Sequence, residues 1–242
     1  MNFTKFFREL HTAPTLLKEL IYPRRCSVCA REIEEGIFCE QCRESYLLRK
    51  RIRFEPEDVL VQGLPYAAKD ILKGAIFLFR YDGIIKDKLH ELKFEDKREL
   101  LSGIKEEADF ALPANLELFL EKFDLLTSIP TSKERLERRG FDIPQEIFAK
   151  LFASKKYEPK LLVRARNTLS LFELAPDERR AELAGCFALN PSFTVGGKSV
   201  LICDDIYTTG STLAEAAICL REAGEREVYA LTFAAARENW DL

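Results

Sequence analysis

The chain has 242 residues, 47% of them hydrophobic, with 37 basic and 40 acidic side chains and a net charge of −3. This is enough apolar material for a sizeable core in one or two domains. It excludes the disordered class, which combines few apolar groups with high net charge, and gives no global signal for nucleic-acid binding. No run reaches the roughly 18 apolar residues that a bilayer span needs.

The elements are taken in chain order. Within Met1–Leu20 the spacing of Phe3, Phe6, Phe7, Leu10, Leu16, Leu17 and Leu20 predicts an amphipathic helix, broken at Pro14. Lys5, Arg8, Glu9, Lys18 and Glu19 interrupt this stretch, so no secretory signal is read. The expectation is a cytoplasmic protein without membrane insertion. In a reducing compartment the seven cysteines need a reason other than disulfides. Four form two knuckles, Cys26-x2-Cys29 and Cys39-x2-Cys42. Four thiolates can close a tetrahedral zinc site, structural because no coordination position stays open. Such a metal would supply folding energy to a segment with little core of its own. Redox cysteines or an iron–sulfur cluster are the alternatives. The finger reads either as a contact with DNA or a protein partner, helped by Arg24, Arg25 and the basic run 49–53, or as a clip that packs the N-terminal helix on the core. The basic run and Pro56 mark a boundary, separating 1–55 from 56–242.

Beyond it, Ala75–Tyr81 reads as a strand and Ile84–Leu101 as a helix with Ile85, Leu89 and Leu92 on one face. Leu112–Lys122 is a second helix candidate. From Phe123 onward strands and helices alternate. Phe123–Pro130, Lys160–Arg166, Cys186–Leu189, Lys198–Ile206 and Val228–Ala234 are expected strands. Thr131–Ala153 is expected to be helical, interrupted at Gly140 and Pro144, and 167–185 to be a loop with a short helix. Ser211–Ala223 reads as a helix closed by Gly224. The pattern predicts a mostly parallel sheet with helices on both faces. Cys186, Cys203 and Cys219 sit in apolar runs and are expected in the core. His11 and His90 lack a partner at metal-ligand spacing.

The chemistry concentrates in Val200–Thr212. An apolar strand ends in Asp204 and Asp205, at the carboxyl edge where α/β sheets place ligands. Neighbouring strand residues face opposite ways, so the two carboxylates should have unequal roles. Thr208, Thr209, Gly210, Ser211 and Thr212 then form a hydroxyl-rich turn that opens a helix. Its amides and the positive helix end suit a phosphate dianion. Diol-binding acids one turn from a phosphate nest fit a ribose 5-phosphate. A capped helix after an acidic strand end is the plainer alternative.

The segment resembles the site by which type I phosphoribosyltransferases bind phosphoribosyl pyrophosphate (PRPP), departing at Tyr207, where a smaller aliphatic is usual. Nearly the whole chain resembles the ComF family, competence protein F or GntX-like. The collinear matches are the four cysteines, Tyr81-Asp82-Gly83, His90 with Lys93-Phe94, Ile129-Pro130, Arg135 with Arg138-Arg139-Gly140-Phe141, Arg164-x-Arg166-x-Thr168, Glu178-Arg179, Gly185-x-Phe187 and the PRPP segment. The resemblance implies a type I phosphoribosyltransferase-like fold with a small N-terminal four-cysteine zinc finger, a hood-like part over 56–122 and an α/β core over 123–242. It implies that Pro130 and Thr131 belong to a pyrophosphate loop and that 164–179 closes over the site. Arg135, Arg138, Arg164 and Arg166 would pair with diphosphate oxygens, alongside Mg²⁺. Arg135 and Arg138 also fit a solvated helix face. Asp204, Asp205, Arg164 and Arg166 would carry any catalysis. Asp142 and Glu182 replace the family's usual asparagines, and Leu171 its glutamine. Either carboxylate would repel a diphosphate unless a cation intervened. Two functions follow from the resemblance: a Mg²⁺-dependent phosphoribosyltransferase acting on a nitrogen acceptor, or a non-catalytic PRPP- or nucleotide-binding protein of DNA uptake or DNA processing.

Overall fold

The computed structural model describes residues 23–47, 71–95, 97–113, 115–166 and 176–236. The expected N-terminal helix, the basic run 49–53, the boundary at Pro56 and Leu171 lie outside them. Four strands, β1 (Gly74–Arg80), β2 (Leu125–Ser128), β5 (Ser199–Tyr207) and β6 (Glu227–Ala235), form one parallel sheet in the order β1-β6-β5-β2. The register sets Leu125 beside Val200, Ser199 beside Glu227 and Gly74 beside Tyr229.

The apolar runs are continuous because the sheet is covered on both sides. Leu201, Cys203, Leu231 and Phe233 point into one core, and Val200, Ile202, Val228 and Ala230 into the other. The first core is closed by α2 (Gly83–Phe94) through Ile85, Leu89 and Leu92, and by α3 (Leu100–Ala111) through Ile104 and Ala108. Phe38, beside α1 (Glu40–Tyr46) of the cysteine module, enters the same core. The second core is closed by α9 (Ser211–Glu222) through Leu213, Ala217 and Leu220.

Several expected elements are shorter or divided. The helix expected over Ile84–Leu101 is two, because the polar stretch 95–99 offers no apolar face to continue the first. The one expected over Leu112–Lys122 shrinks to α4 (Leu116–Leu120), which starts where the Asn115 side chain accepts from Leu118 N. Thr131–Ala153 resolves into α5 (Lys133–Arg139), α6 (Ile143–Ile147) and α7 (Ala149–Phe152). Two short strands, β3 (Leu162–Arg164) and β4 (Phe187–Leu189), leave the parallel pattern and pair antiparallel with each other, flanking α8 (Pro176–Leu183) in the chain. Cys186 and Cys203 are fully buried and Cys219 half-buried, all three thiols within the cores. No helix among the described residues is long and apolar enough to cross a membrane.

Candidate functional site

Parallel pairing of β2 with β5 brings their carboxyl ends side by side. The loops that follow, Ile129–Ser132 and Thr208–Gly210, meet around a cavity of ≈ 670 Å³. Asp204, Asp205, Thr208 and Thr212 line it from β5 and α9, and Pro130, Thr131 and Ser132 from the other loop. Arg135, Arg138 and Arg139 reach it from α5, Arg164 from β3, and Tyr81, Lys86, Lys93 and Phe94 from the α2 side. Six cationic side chains therefore face three carboxylates, counting Glu134. That balance suits a polyanion.

The two acids differ sharply. Asp205 is held by Lys93, whose Nζ lies 2.9 Å from its carboxylate. Asp204 accepts only from the Asp205 backbone N–H at 2.8 Å among the contacts resolved. Burial first, and the Asp205 charge second, push the Asp204 carboxyl far above the usual carboxylate range, to about 8. Asp204 is half-buried and lines the cavity, yet protein surrounds the carboxyl closely enough for desolvation to prevail over Lys93. One acid is thus paired with a lysine, and its neighbour holds a proton near neutrality.

The following turn is preorganised. Gly210 adopts a left-handed φ of 76° as the N-cap of α9, a conformation glycine takes without strain. Thr209 Oγ1 and Ser211 Oγ are 2.8 Å apart, and Ser211 N donates to Thr209 Oγ1 at 3.4 Å. Thr208 and Thr212 face the large cavity, whereas Gly210 and Ser211 line a crevice of ≈ 20 Å³ beside it.

The arginines divide into two sets. Arg164 lines the cavity while its Nε donates to Pro130 O at 2.7 Å, which ties β3 to the Ile129–Ser132 loop. Arg135 and Arg138 lie on the cavity face of α5 rather than turning wholly to solvent. Arg166 is not part of the cavity wall. Its guanidinium donates to Glu182 O and Ala184 O and pairs with the Glu182 carboxylate at 3.5 Å. Glu182 is thereby engaged with a cation rather than turned on an anion site. Asp142 is likewise employed locally, capping α6 through Gln145 N at 3.1 Å and accepting from Thr131 N at 3.3 Å. Aspartate and asparagine are about equally good N-caps.

The four cysteines converge. All four Sγ atoms lie within 4.8 Å of one another, with Cys29 and Cys39 at 3.7 Å. A Zn–S bond of about 2.3 Å sets tetrahedral sulfurs about 3.8 Å apart, so the cluster fits a metal such as zinc. Burial opposes ionisation of Cys26, but the N–H groups of Cys29, Cys39 and Val28 prevail and hold its thiol down to about 6. The hydrogen bond to Cys39 first, then burial, push the Cys42 thiol up to about 12. Four thiols this close need a cation before all can ionise. The module is fastened to α3 by Glu107, fully buried, which accepts from Ile37 N at 2.8 Å, Phe38 N at 3.0 Å and the Arg43 guanidinium. Gly36, at φ 77°, sits so close that a Cβ there would lie 2.1 Å from Glu107 Oε1. His90 is half exposed beside Glu95 and far from this cluster in role, with no metal group of its own among the described residues.

No protein-family model matches the chain. It is 28% identical over 202 residues to the competence protein ComFC of Bacillus subtilis (strain 168), across 83% of this chain and 72% of that protein. It is 29% identical over 211 residues to the DNA utilization protein YhgH of Escherichia coli (strain K12), across 84% of this chain and 86% of that one. The chain is thus similar to ComF-like proteins over most of its length. Among solved structures, glutamine PRPP amidotransferase from B. subtilis, complexed with ADP and GMP, matches 60% of the ComF-like chain at 20% identity and a TM-score of 0.34. The match spans 30% of the amidotransferase chain.

In this ComF-like chain the fold class is the expected one, a parallel sheet flanked by helices with a four-cysteine module near the N-terminus. Of the site residues expected, Asp204, Asp205, Thr208, Thr212, Pro130, Thr131, Arg135, Arg138 and Arg164 share one cavity. Thr209, Gly210 and Ser211 stand immediately behind it, and Arg166 stands apart. Lys93, Arg139 and Tyr81 line the cavity without having been singled out for it. Lys93 lies 112 residues from Asp205 in the chain, so no local pattern links them. The signal that could have found it was its place in the collinear family match.

Proposed function

We propose that this ComF-like protein binds PRPP, or a related ribose 5-phosphate compound, in the cavity at the carboxyl ends of β2 and β5. The observation that carries this reading is the pairing of a lysine-bound and a proton-holding aspartate with a hydroxyl-rich turn opening α9, opposite a cationic wall. Asp204 and Asp205 would take the ribose hydroxyls, Thr208–Thr212 the 5′-phosphate, and Pro130, Thr131, Arg135, Arg138 and Arg164 the diphosphate. Mg²⁺ would enter on the diphosphate and neutralise part of its charge. The four-cysteine module over 1–55 would carry structural zinc, and 56–242 would be the phosphoribosyltransferase-like domain, hooded by 56–122. The names of the relatives support a role in DNA uptake or DNA utilization, with DNA or an uptake protein as partner.

In the enzymatic form of this reading a nitrogen lone pair attacks the anomeric carbon. The bond from that carbon to the pyrophosphate oxygen breaks, pyrophosphate leaves with the electron pair, and the nitrogen releases its proton to solvent. The cationic wall would stabilise the departing charge. A non-catalytic, PRPP-sensing form is favoured by one observation: Arg166 is spent on the end of α8 rather than on the cavity. Incubation with PRPP, Mg²⁺ and a panel of nitrogenous bases separates the two. Pyrophosphate release with any base establishes transfer. PRPP binding without release on every base establishes the sensor.

A further inference from the structure

Tyr207 closes β5, and its surroundings among the described residues do not explain its hydroxyl. The side chain is 1% exposed and its ring lies 4.8 Å from that of Phe77 in the second core. Packing alone would be served by phenylalanine. The phenolic Oη has no hydrogen-bond partner among the described residues, an unfavourable state for a buried hydroxyl. Burial pushes the phenol up to about 12, so it keeps its proton and remains a donor.

The location of that donor is specific. Oη lies against Gly210, where a Cβ would fall 2.2 Å from it, so the hydroxyl sits directly behind the phosphate turn and excludes any side chain there. The ≈ 20 Å³ crevice is bounded by Tyr207, Asp204, Thr208, Gly210, Ser211 and Thr212. A space of this size admits about one oxygen-sized group. It opens at the N-terminus of α9, a twelve-residue helix whose first amides and dipole already favour an anion.

We propose that Tyr207 is a phosphate-recognition residue, its hydroxyl donating to one oxygen of a phosphomonoester seated at the Thr208–Thr212 turn. This rests on the ribose-phosphate reading above and deepens it by naming the group that tells a phosphomonoester end from a diphosphate end. The hydroxyl stays unpaired in the ligand-free protein and gains its partner only on binding.

The test is Tyr207→Phe, titrated with ribose 5-phosphate and separately with pyrophosphate, beside thermal melts of the ligand-free proteins. The expected result is affinity for ribose 5-phosphate about tenfold weaker, affinity for pyrophosphate unchanged, and a ligand-free Tm equal to or above that of the wild type. Equal ribose 5-phosphate affinity in the two proteins overturns the proposal. So does a lower ligand-free Tm for the variant, which would mean the hydroxyl already has an internal partner. If the wild type binds neither compound, the ribose-phosphate reading itself fails and Tyr207's role falls with it.

Discussion

Asp204 and Asp205 are chain neighbours in opposite electrostatic settings, and that contrast has a measurable consequence. Lys93 pairs with Asp205, whereas burial and the Asp205 charge raise Asp204 from 3.8 to about 8. The charged groups that act on Asp204 are Asp205 and Asp142, which favour its proton, and Lys93, which opposes it. The folded chain therefore keeps a proton that the unfolded chain has lost, and folding becomes less favourable as pH rises from 3.8 towards 8. Asp204→Asn removes this penalty. Its Tm should exceed that of the wild type near pH 8 by about 2–4 °C, and the gap should close as the pH approaches the ordinary aspartate range. Melts of both proteins across that range check it, and parallel curves would contradict the assignment. On the proposed reading, Asp204 would be kept for binding at the expense of stability. The unequal surroundings of the two acids were legible from strand alternation. Which acid stays neutral was not, because the deciding lysine belongs to a distant helix.

At the scale of elements, legibility followed burial. β1, β5, β6 and α9 were readable because their apolar periods are long and continuous. The division of Thr131–Ala153 was only half readable. Gly140 and Pro144 were visible as interruptions, but capping of α6 by Asp142 was hidden by reading that aspartate as a threat to an anion. β3 and β4 have three residues each, too few to reveal that they pair with each other rather than with the parallel sheet. The docking of the cysteine module was not legible, because it depends on one buried acid in the middle of α3. Glu107 satisfies two backbone amides and the Arg43 guanidinium, which also lies 4.1 Å from the Phe110 ring centre. Glu107→Ala would strand a buried cation and two N–H groups, at a cost of about 3–5 kcal/mol. The expected outcome is a Tm lowered by on the order of 10 °C and, for protein loaded with zinc, earlier loss of the metal to a chelator. Glu107→Gln, which keeps an acceptor for the amides, should lose less. If neither variant shifts Tm or zinc retention, the module is held by other contacts.

For the whole molecule, two cores sandwich one parallel sheet, and the cavity lies where three chain-distant regions meet the carboxyl ends of its strands. The Asp204–Thr212 half of the candidate site is a single continuous segment, so its proximity to one cavity was legible in the sequence. The opposing half comes from α2, α5 and β3, and its assembly depends on tertiary packing that no local pattern carries. Cysteine module and sheet share the first core through Phe38 and Leu47, so loss of metal should be felt by the sheet as well as by the finger. The central claim concerns what the cavity holds. It is tested most directly by calorimetric titration of PRPP with Mg²⁺ into the wild type and into Asp204→Ala/Asp205→Ala. Saturable binding to the wild type, abolished in the folded double variant, is the predicted result. No binding to the wild type, or equal affinity in both proteins, would contradict it.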